Sequence, residues 1–157
     1  MSAVLTNVTL APPLLIVEDS DEDFETLQRL LRRTCQPIPL QRCVNGEQAL
    51  DYLYRRGPYS EDDTYQPAMI ILDLNLPRTD GRQVLQRIKQ DETLRTIPVV
   101  VFTTSSSPRD IKECYEYGVN SYIVKPIDFS RLKQDIKTLV DYWFQVTTLP
   151  HRYPGVL

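Results

Sequence analysis

Three observations predict an α/β fold with a parallel sheet sandwiched between helices. Short apolar runs recur five times: Leu14 to Val17, near Leu40 to Val44, Met69 to Leu72, Pro98 to Phe102, and Ser121 to Val124. Several are unbroken rather than alternating, the pattern of strands buried on both faces. Each run precedes a segment with apolar residues at three- and four-residue spacing, so strands and helices alternate throughout. Right-handed crossovers leave few topologies, of which strand order 2-1-3-4-5 is the first choice.

The elements follow in chain order. Residues Met1 to Pro13 read as an arm. The first strand runs into Glu18-Asp19, and Ser20-Asp21-Glu22-Asp23 supplies a cap and first-turn acids for a helix. Phe24, Leu27, Leu30 and Leu31 carry that helix to about Thr34, and Pro37 and Pro39 end it. Asn45-Gly46 opens a turn; a second helix marked by Ala49, Leu50 and Leu53 ends near Gly57-Pro58. Tyr59 to Pro67 reads as a long acidic surface loop. A third strand leads to Asp73, Pro77 blocks its continuation, and a third helix spans Asp80 to about Gln90. The fourth strand ends at Thr103-Thr104. Pro108 suits the first turn of the next helix, which reaches Gly118. The fifth strand ends at Lys125-Pro126. The last helix starts near Asp128, with Phe129, Leu132, Ile136, Leu139, Val140 and Trp143 along its inward side. The whole is a flavodoxin-like (βα)5 pattern in one domain: arm 1–13, core 14–144 and C-terminal extension 145–157.

Composition narrows the function. The chain has 157 residues, 41% hydrophobic and 25% charged, in keeping with one ordinary globular domain. A net charge of -3 with scattered basic residues argues against nucleic-acid binding, which needs clustered Lys and Arg. The densest basic group, Arg29, Arg32 and Arg33, reads as a solvated helix face. Cys35, Cys43 and Cys114 show no CxxC spacing and read as reduced thiols. His151 is the single histidine, which disfavours a histidine zinc site or a Ser-His-Asp triad. The N-terminus lacks the basic region of a secretory signal. No segment approaches the roughly 20 apolar residues of a membrane span, so the expected location is cytoplasmic.

Chemistry concentrates at the strand ends. Strand one delivers Glu18 and Asp19, strand three Asp73, strand four Thr103 and strand five Lys125. In a 2-1-3-4-5 order these four strands are neighbours. Ligands in such sheets sit outside the strands' carboxyl ends. Three carboxylates together repel one another and call for a cation, and oxygen ligands with open positions suit magnesium. Lys125 offers an ammonium to phosphate oxygens, Thr103 a hydroxyl donor, and Asp73 a nucleophile for phosphoryl transfer. Taken singly, each residue also has an ordinary reading: Asp73 as a loop cap, Glu18-Asp19 as helix caps, Thr103 as a strand-end hydroxyl and Lys125 as a solvated cation.

The acidic pair Glu18-Asp19, the LDLNLPRTDG stretch around Asp73, Thr103-Thr104 and Lys125-Pro126 together resemble the response-regulator receiver domains of two-component signalling. The resemblance covers about Leu14 to Phe144. It implies that Asp73 accepts phosphate from a sensor histidine kinase. It also implies that Asp19, Asp73 and the backbone carbonyl of Asn75 hold Mg2+, with Glu18 helping through water. Thr103 and Lys125 would contact the phosphoryl group, and Tyr122 would be the aromatic switch. Glu18 stands where an aspartate is commoner. The long loop before strand three, the extension and Leu149-Pro150-His151 look like the small receiver proteins that partner bacterial phytochromes.

Two other functions compete. A dehalogenase-type phosphatase with Asp73 as nucleophile would want an acid two residues on, where Asn75 cannot transfer protons. A receiver-like module that only binds partners would be expected to lack Asp73 or Lys125, and both are present. With only a short tail after the last helix, output through protein contact or phosphate relay is expected. Tyr142, Phe144, Val146 and Leu149, flanked by Tyr115 and Tyr117, lie outside the inward stripe and predict a homodimer through the last helix and tail; a tail folded back over this surface is the alternative.

Overall fold

The computed structural model describes residues 11–34, 37–61 and 66–150. Residues 1–10 of the arm, Cys35, residues 62–65 of the 59–67 loop, and the extension from His151 onward lie outside the described residues. Five parallel strands, β1 (Leu14–Val17), β2 (Leu40–Cys43), β3 (Met69–Leu72), β4 (Val99–Thr103) and β5 (Ser121–Val124), form one sheet in the order β2-β1-β3-β4-β5. The order matches the expected flavodoxin-like topology.

Helices α1 (Asp21–Arg32) and α5 (Phe129–Val140) cover one face; α2 (Gly46–Tyr54), α3 (Gly81–Gln90) and α4 (Pro108–Glu116) serve the other. Alternate strand residues divide between the two cores. Leu15, Val17, Ile70 and Leu72 join the α2–α4 side; Leu14, Ile16, Met69 and Ile71 join the α1–α5 side. The central strands β1, β3 and β4 are buried along their length, whereas the edge strand β5 is half-exposed. Each helix opens on a polar cap that accepts from the first turn: Ser20, Asn45, Asp80, Ser107 and Asp128.

Three expectations are corrected. The second helix ends at Tyr54, because Arg55 adopts a left-handed backbone (φ 55°) and closes it; Gly57–Tyr59 form a separate 3-10 turn. Phe129, expected inside, is 55% exposed, since it is the first residue of α5 and precedes the turn that meets the sheet. After Val140 the helix widens into a π turn, Asp141–Val146, in which Thr147 donates to the Tyr142 carbonyl five residues back. A π turn holds an extra residue, so the inward stripe moves from Trp143 to Phe144. Phe144 is buried, Trp143 only half-buried, and Leu149 folds back onto the same core. Tyr117 also packs against the core on the α2–α4 side. The fold-back alternative thus holds as far as Leu149, while Tyr142 (52%), Val146 (74%) and Tyr115 stay exposed.

Candidate functional site

Strand register delivers the site. Val17 pairs with both Cys43 and Leu72, so Glu18 and Asp73 leave the sheet at one level. The ladder extends one step further: the Glu18 amide donates to the Cys43 carbonyl (3.0 Å) and the Asp73 amide to the Val17 carbonyl (3.1 Å). Thr103 pairs with Val124, and the Lys125 amide donates back to the Thr103 carbonyl at 2.7 Å. Backbone geometry therefore collects the chemistry-bearing residues at the sheet's carboxyl edge.

Glu18, Asp19 and Asp73 each offer a carboxylate oxygen within 4.8 Å of the others. Glu18 and Asp73 are buried and Asp19 is exposed. This donor set fits a divalent cation with open positions toward solvent, for which hard oxygen ligands suffice. Asn75 is exposed beside it, with its amide 3.4 Å from Asp73 Oδ1. The Lys125 ammonium donates to Glu18 Oε2 (2.7 Å), Asp73 Oδ2 (3.2 Å) and Asp23 Oδ2 (3.0 Å). Burial pulls the Lys125 pKa down, but the Glu18 hydrogen bond and the Asp73 and Glu18 charges outweigh it and hold the ammonium above its ordinary range. Burial raises the Glu18 carboxyl, and Lys125 draws it partly back. Such a pocket, with a fixed ammonium against an acidic group, is built to receive a dianion together with a cation.

Thr103 is fully buried, and its hydroxyl oxygen accepts from the Ser105 amide at 3.4 Å. Tyr122 is half-buried, and its hydroxyl donates to the Ser105 carbonyl at 2.8 Å. Ser105 Oγ in turn donates to Asp110 Oδ2 (2.6 Å), which Arg82 grips by two guanidinium hydrogen bonds (2.9 and 2.7 Å). The Arg82 hydrogen bonds, then that from Ser105, bring Asp110 down from 3.8 to about 2. Its folded-state pKa lies below the unfolded one, so the pair adds stability above roughly pH 4 that is lost as pH falls through the folded value. The melting-temperature gap between wild type and Asp110→Asn should accordingly be largest at neutral pH and narrow in acid. A gap that widens in acid would contradict the assignment.

Of the seven residues singled out in the sequence, Glu18, Asp19, Asp73 and Lys125 come together in this pocket, Asn75 adjoins Asp73, and Thr103 adjoins Lys125 through the backbone, whereas Tyr122 is linked to Thr103 only by way of Ser105. Sequence reasoning missed three contributors. Asp23 reads as a first-turn acid, yet its carboxylate accepts from the Lys125 ammonium at 3.0 Å. Arg42, on β2, holds the Glu18 carbonyl with two hydrogen bonds (3.2 and 3.1 Å) while stacking on Phe24. Arg82 pairs with Asp110 across 28 residues, for which local sequence carries no signal.

Comparison with known proteins agrees with this geometry. The response regulator receiver domain model matches residues 14–137. The probable methanogenesis regulatory protein FilR2 of Methanothrix harundinacea is 39% identical over 83% of this chain and 82% of its own length. Response regulator Rcp1 of Synechocystis sp. is 38% identical over 88% of this chain and 95% of its own. The crystal structure of the Mn(2+)-bound form of Rcp1 aligns with a TM-score of 0.84, 37% identity, and coverage of 88% and 99%. That of the phosphorylated cyanobacterial phytochrome response regulator RcpA gives 0.84, 38%, 90% and 99%. With the family model matching most of the chain and these relatives covered over most of their length, the chain belongs to the response regulator receiver domain family.

Proposed function

We propose that this protein is a phosphorylatable switch in which Asp73 accepts a phosphoryl group from a sensor histidine kinase. The observation that carries the reading is the Lys125 ammonium 3.2 Å from Asp73 Oδ2, beside an acidic group fit for a cation. An Asp73 oxygen attacks phosphorus as the donor's P–N bond breaks, and the bond's electron pair returns to the kinase imidazole. Mg2+, held by Asp19, Asp73 and the Asn75 carbonyl with Glu18 behind them, would neutralise the phosphoryl oxygens when bound. Lys125 and the Thr103 hydroxyl orient those oxygens. The Mn(2+)-bound state of Rcp1 and the phosphorylated state of RcpA support a divalent cation and an acyl phosphate. That RcpA is a phytochrome response regulator also supports a phytochrome as the kinase. Beyond gaining and losing phosphate at Asp73 the protein turns over no substrate, since Asn75 supplies no general acid. Incubation with acetyl phosphate and Mg2+ followed by intact-mass measurement tests the reading: one added phosphoryl group is expected, and none would refute it. A cytoplasmic location follows from a kinase partner of this kind; among the described residues no helix is long and apolar enough to cross a membrane.

Output is proposed to run through a homodimer formed by the last helix and the residues after it. Tyr142 and Val146 remain exposed there, and a groove of about 1060 Å³ between β5 and α5 is lined by Tyr122, Leu139, Tyr142 and Trp143 together with the polar Arg131 and Asp135. Exposed apolar side chains such as Tyr142 and Val146 beside a groove of mixed polarity suit a protein contact, and two-fold pairing is the commonest closed assembly. Tyr122 lines the groove and also binds the Ser105 carbonyl two residues beyond Thr103, a route from Asp73 to the interface. Light scattering at micromolar concentration should give a dimer mass that Tyr142→Ala with Val146→Asp reduces to a monomer. A monomer in both phosphorylated and unphosphorylated wild type would sink the proposal.

A further inference from the structure

Lys125 touches three carboxylates, and only two of them belong to the acidic group that would hold the cation. Glu18 and Asp73 are in that group; Asp23 is not. Asp19, the remaining member, takes no hydrogen bond from Lys125. The Lys125 side chain is only 11% exposed, so its ammonium needs protein acceptors wherever it rests. A cation drawing on Glu18 and Asp73 oxygens competes with the ammonium for both.

Asp23 is placed to resolve that competition. It sits in the first turn of α1, where Ser20 Oγ accepts from its amide at 3.2 Å. Ser20 is tied in turn to the pocket, its own amide donating to Glu18 Oε1 at 3.1 Å. Both Glu18 oxygens are thus engaged, one by Ser20 and one by Lys125. The Asp23 side chain is 48% exposed, so its carboxylate faces solvent on the side away from Lys125. Its helix-capped backbone holds the carboxylate at the pocket rim, on the Lys125 side.

We propose that Asp23 is a positioning residue: it is the seat for the Lys125 ammonium that a divalent cation does not contest, so that cation and lysine occupy the pocket together. The inference rests on the cation site of the proposed function. It makes a specific claim about coupling. Removing Asp23 forces Lys125 back onto Glu18 and Asp73, where it opposes the cation. Removing Asp23 also deletes a nearby negative charge, but that field effect acts whether or not the lysine is present.

A double-mutant cycle separates the two effects. Mg2+ affinity is measured by titration calorimetry for wild type, Asp23→Ala, Lys125→Gln and the double variant, each checked for a wild-type melting profile. Asp23→Ala should weaken Mg2+ binding at least about threefold more in the wild-type background than in the Lys125→Gln background. Should Asp23→Ala prove unfolded, Asp23→Asn, which removes the charge and weakens the seat, takes its place in the cycle with the same direction expected. Equal losses in both backgrounds would overturn the seat while leaving the cation site standing. A folded wild type that binds no Mg2+ would overturn the cation site and the seat with it.

Discussion

Asp73→Asn should take no phosphoryl group from acetyl phosphate under conditions in which the wild type is labelled. An amide at this position cannot attack phosphorus as a carboxylate does, and the loss should be complete rather than graded. The fold has no reason to suffer. Asp73 is buried beside Glu18, and neutralising one of two close carboxylates relieves repulsion. Lys125 retains Glu18 and Asp23 as acceptors, so no ammonium is orphaned. Asp73→Asn should therefore melt at or above the wild-type temperature while losing all labelling. The adduct on the wild type should survive acid and be lost in alkali, as expected for an acyl phosphate. Equal labelling of the folded variant would place the nucleophile elsewhere.

The fold was legible because its signals are local. Leu14 to Val17, Met69 to Leu72 and Val99 to Phe102 are unbroken apolar runs, and only a sheet covered on both faces buries such runs. The site was legible for a related reason: in a parallel sheet, residues just past aligned strand ends must converge, so Glu18, Asp73, Thr103 and Lys125 could be placed together from topology. What escaped was decided by geometry finer than spacing. Asp23 has the ordinary look of a first-turn acid, and nothing local says that its carboxylate reaches Lys125 across 102 residues. The reversal of Trp143 and Phe144 depends on a π turn, which periodicity at 3.6 residues cannot register. The clamp of Arg82 on Asp110 joins two helices through charges that look like solvated surface.

Gly81→Ala should cost about 3 kcal/mol of stability and impair the pocket together with the fold. Gly81 opens α3, and its amide donates to the Leu74 carbonyl at 2.9 Å. An added Cβ would overlap the Asp73 carbonyl oxygen and lie 2.6 Å from Leu74 Cα. Those atoms are backbone, so no side-chain rotation relieves the clash; the chain carrying the phosphoacceptor has to move. Helix propensity works the other way, favouring Ala over Gly by roughly 1 kcal/mol inside a helix, less at its first turn, and is too small to prevail. Gly57 supplies the comparison: its backbone is left-handed (φ 57°), but nothing lies within 4 Å of an added Cβ, so Gly57→Ala should cost only about 1 kcal/mol. Thermal or urea unfolding should rank Gly81→Ala well below Gly57→Ala. In the fraction of Gly81→Ala that folds, acetyl phosphate labelling should be slower than wild type, whereas Gly57→Ala should label normally. Equal stability of the two variants, or undiminished labelling of Gly81→Ala, would show that the turn after Asp73 yields without disturbing the site.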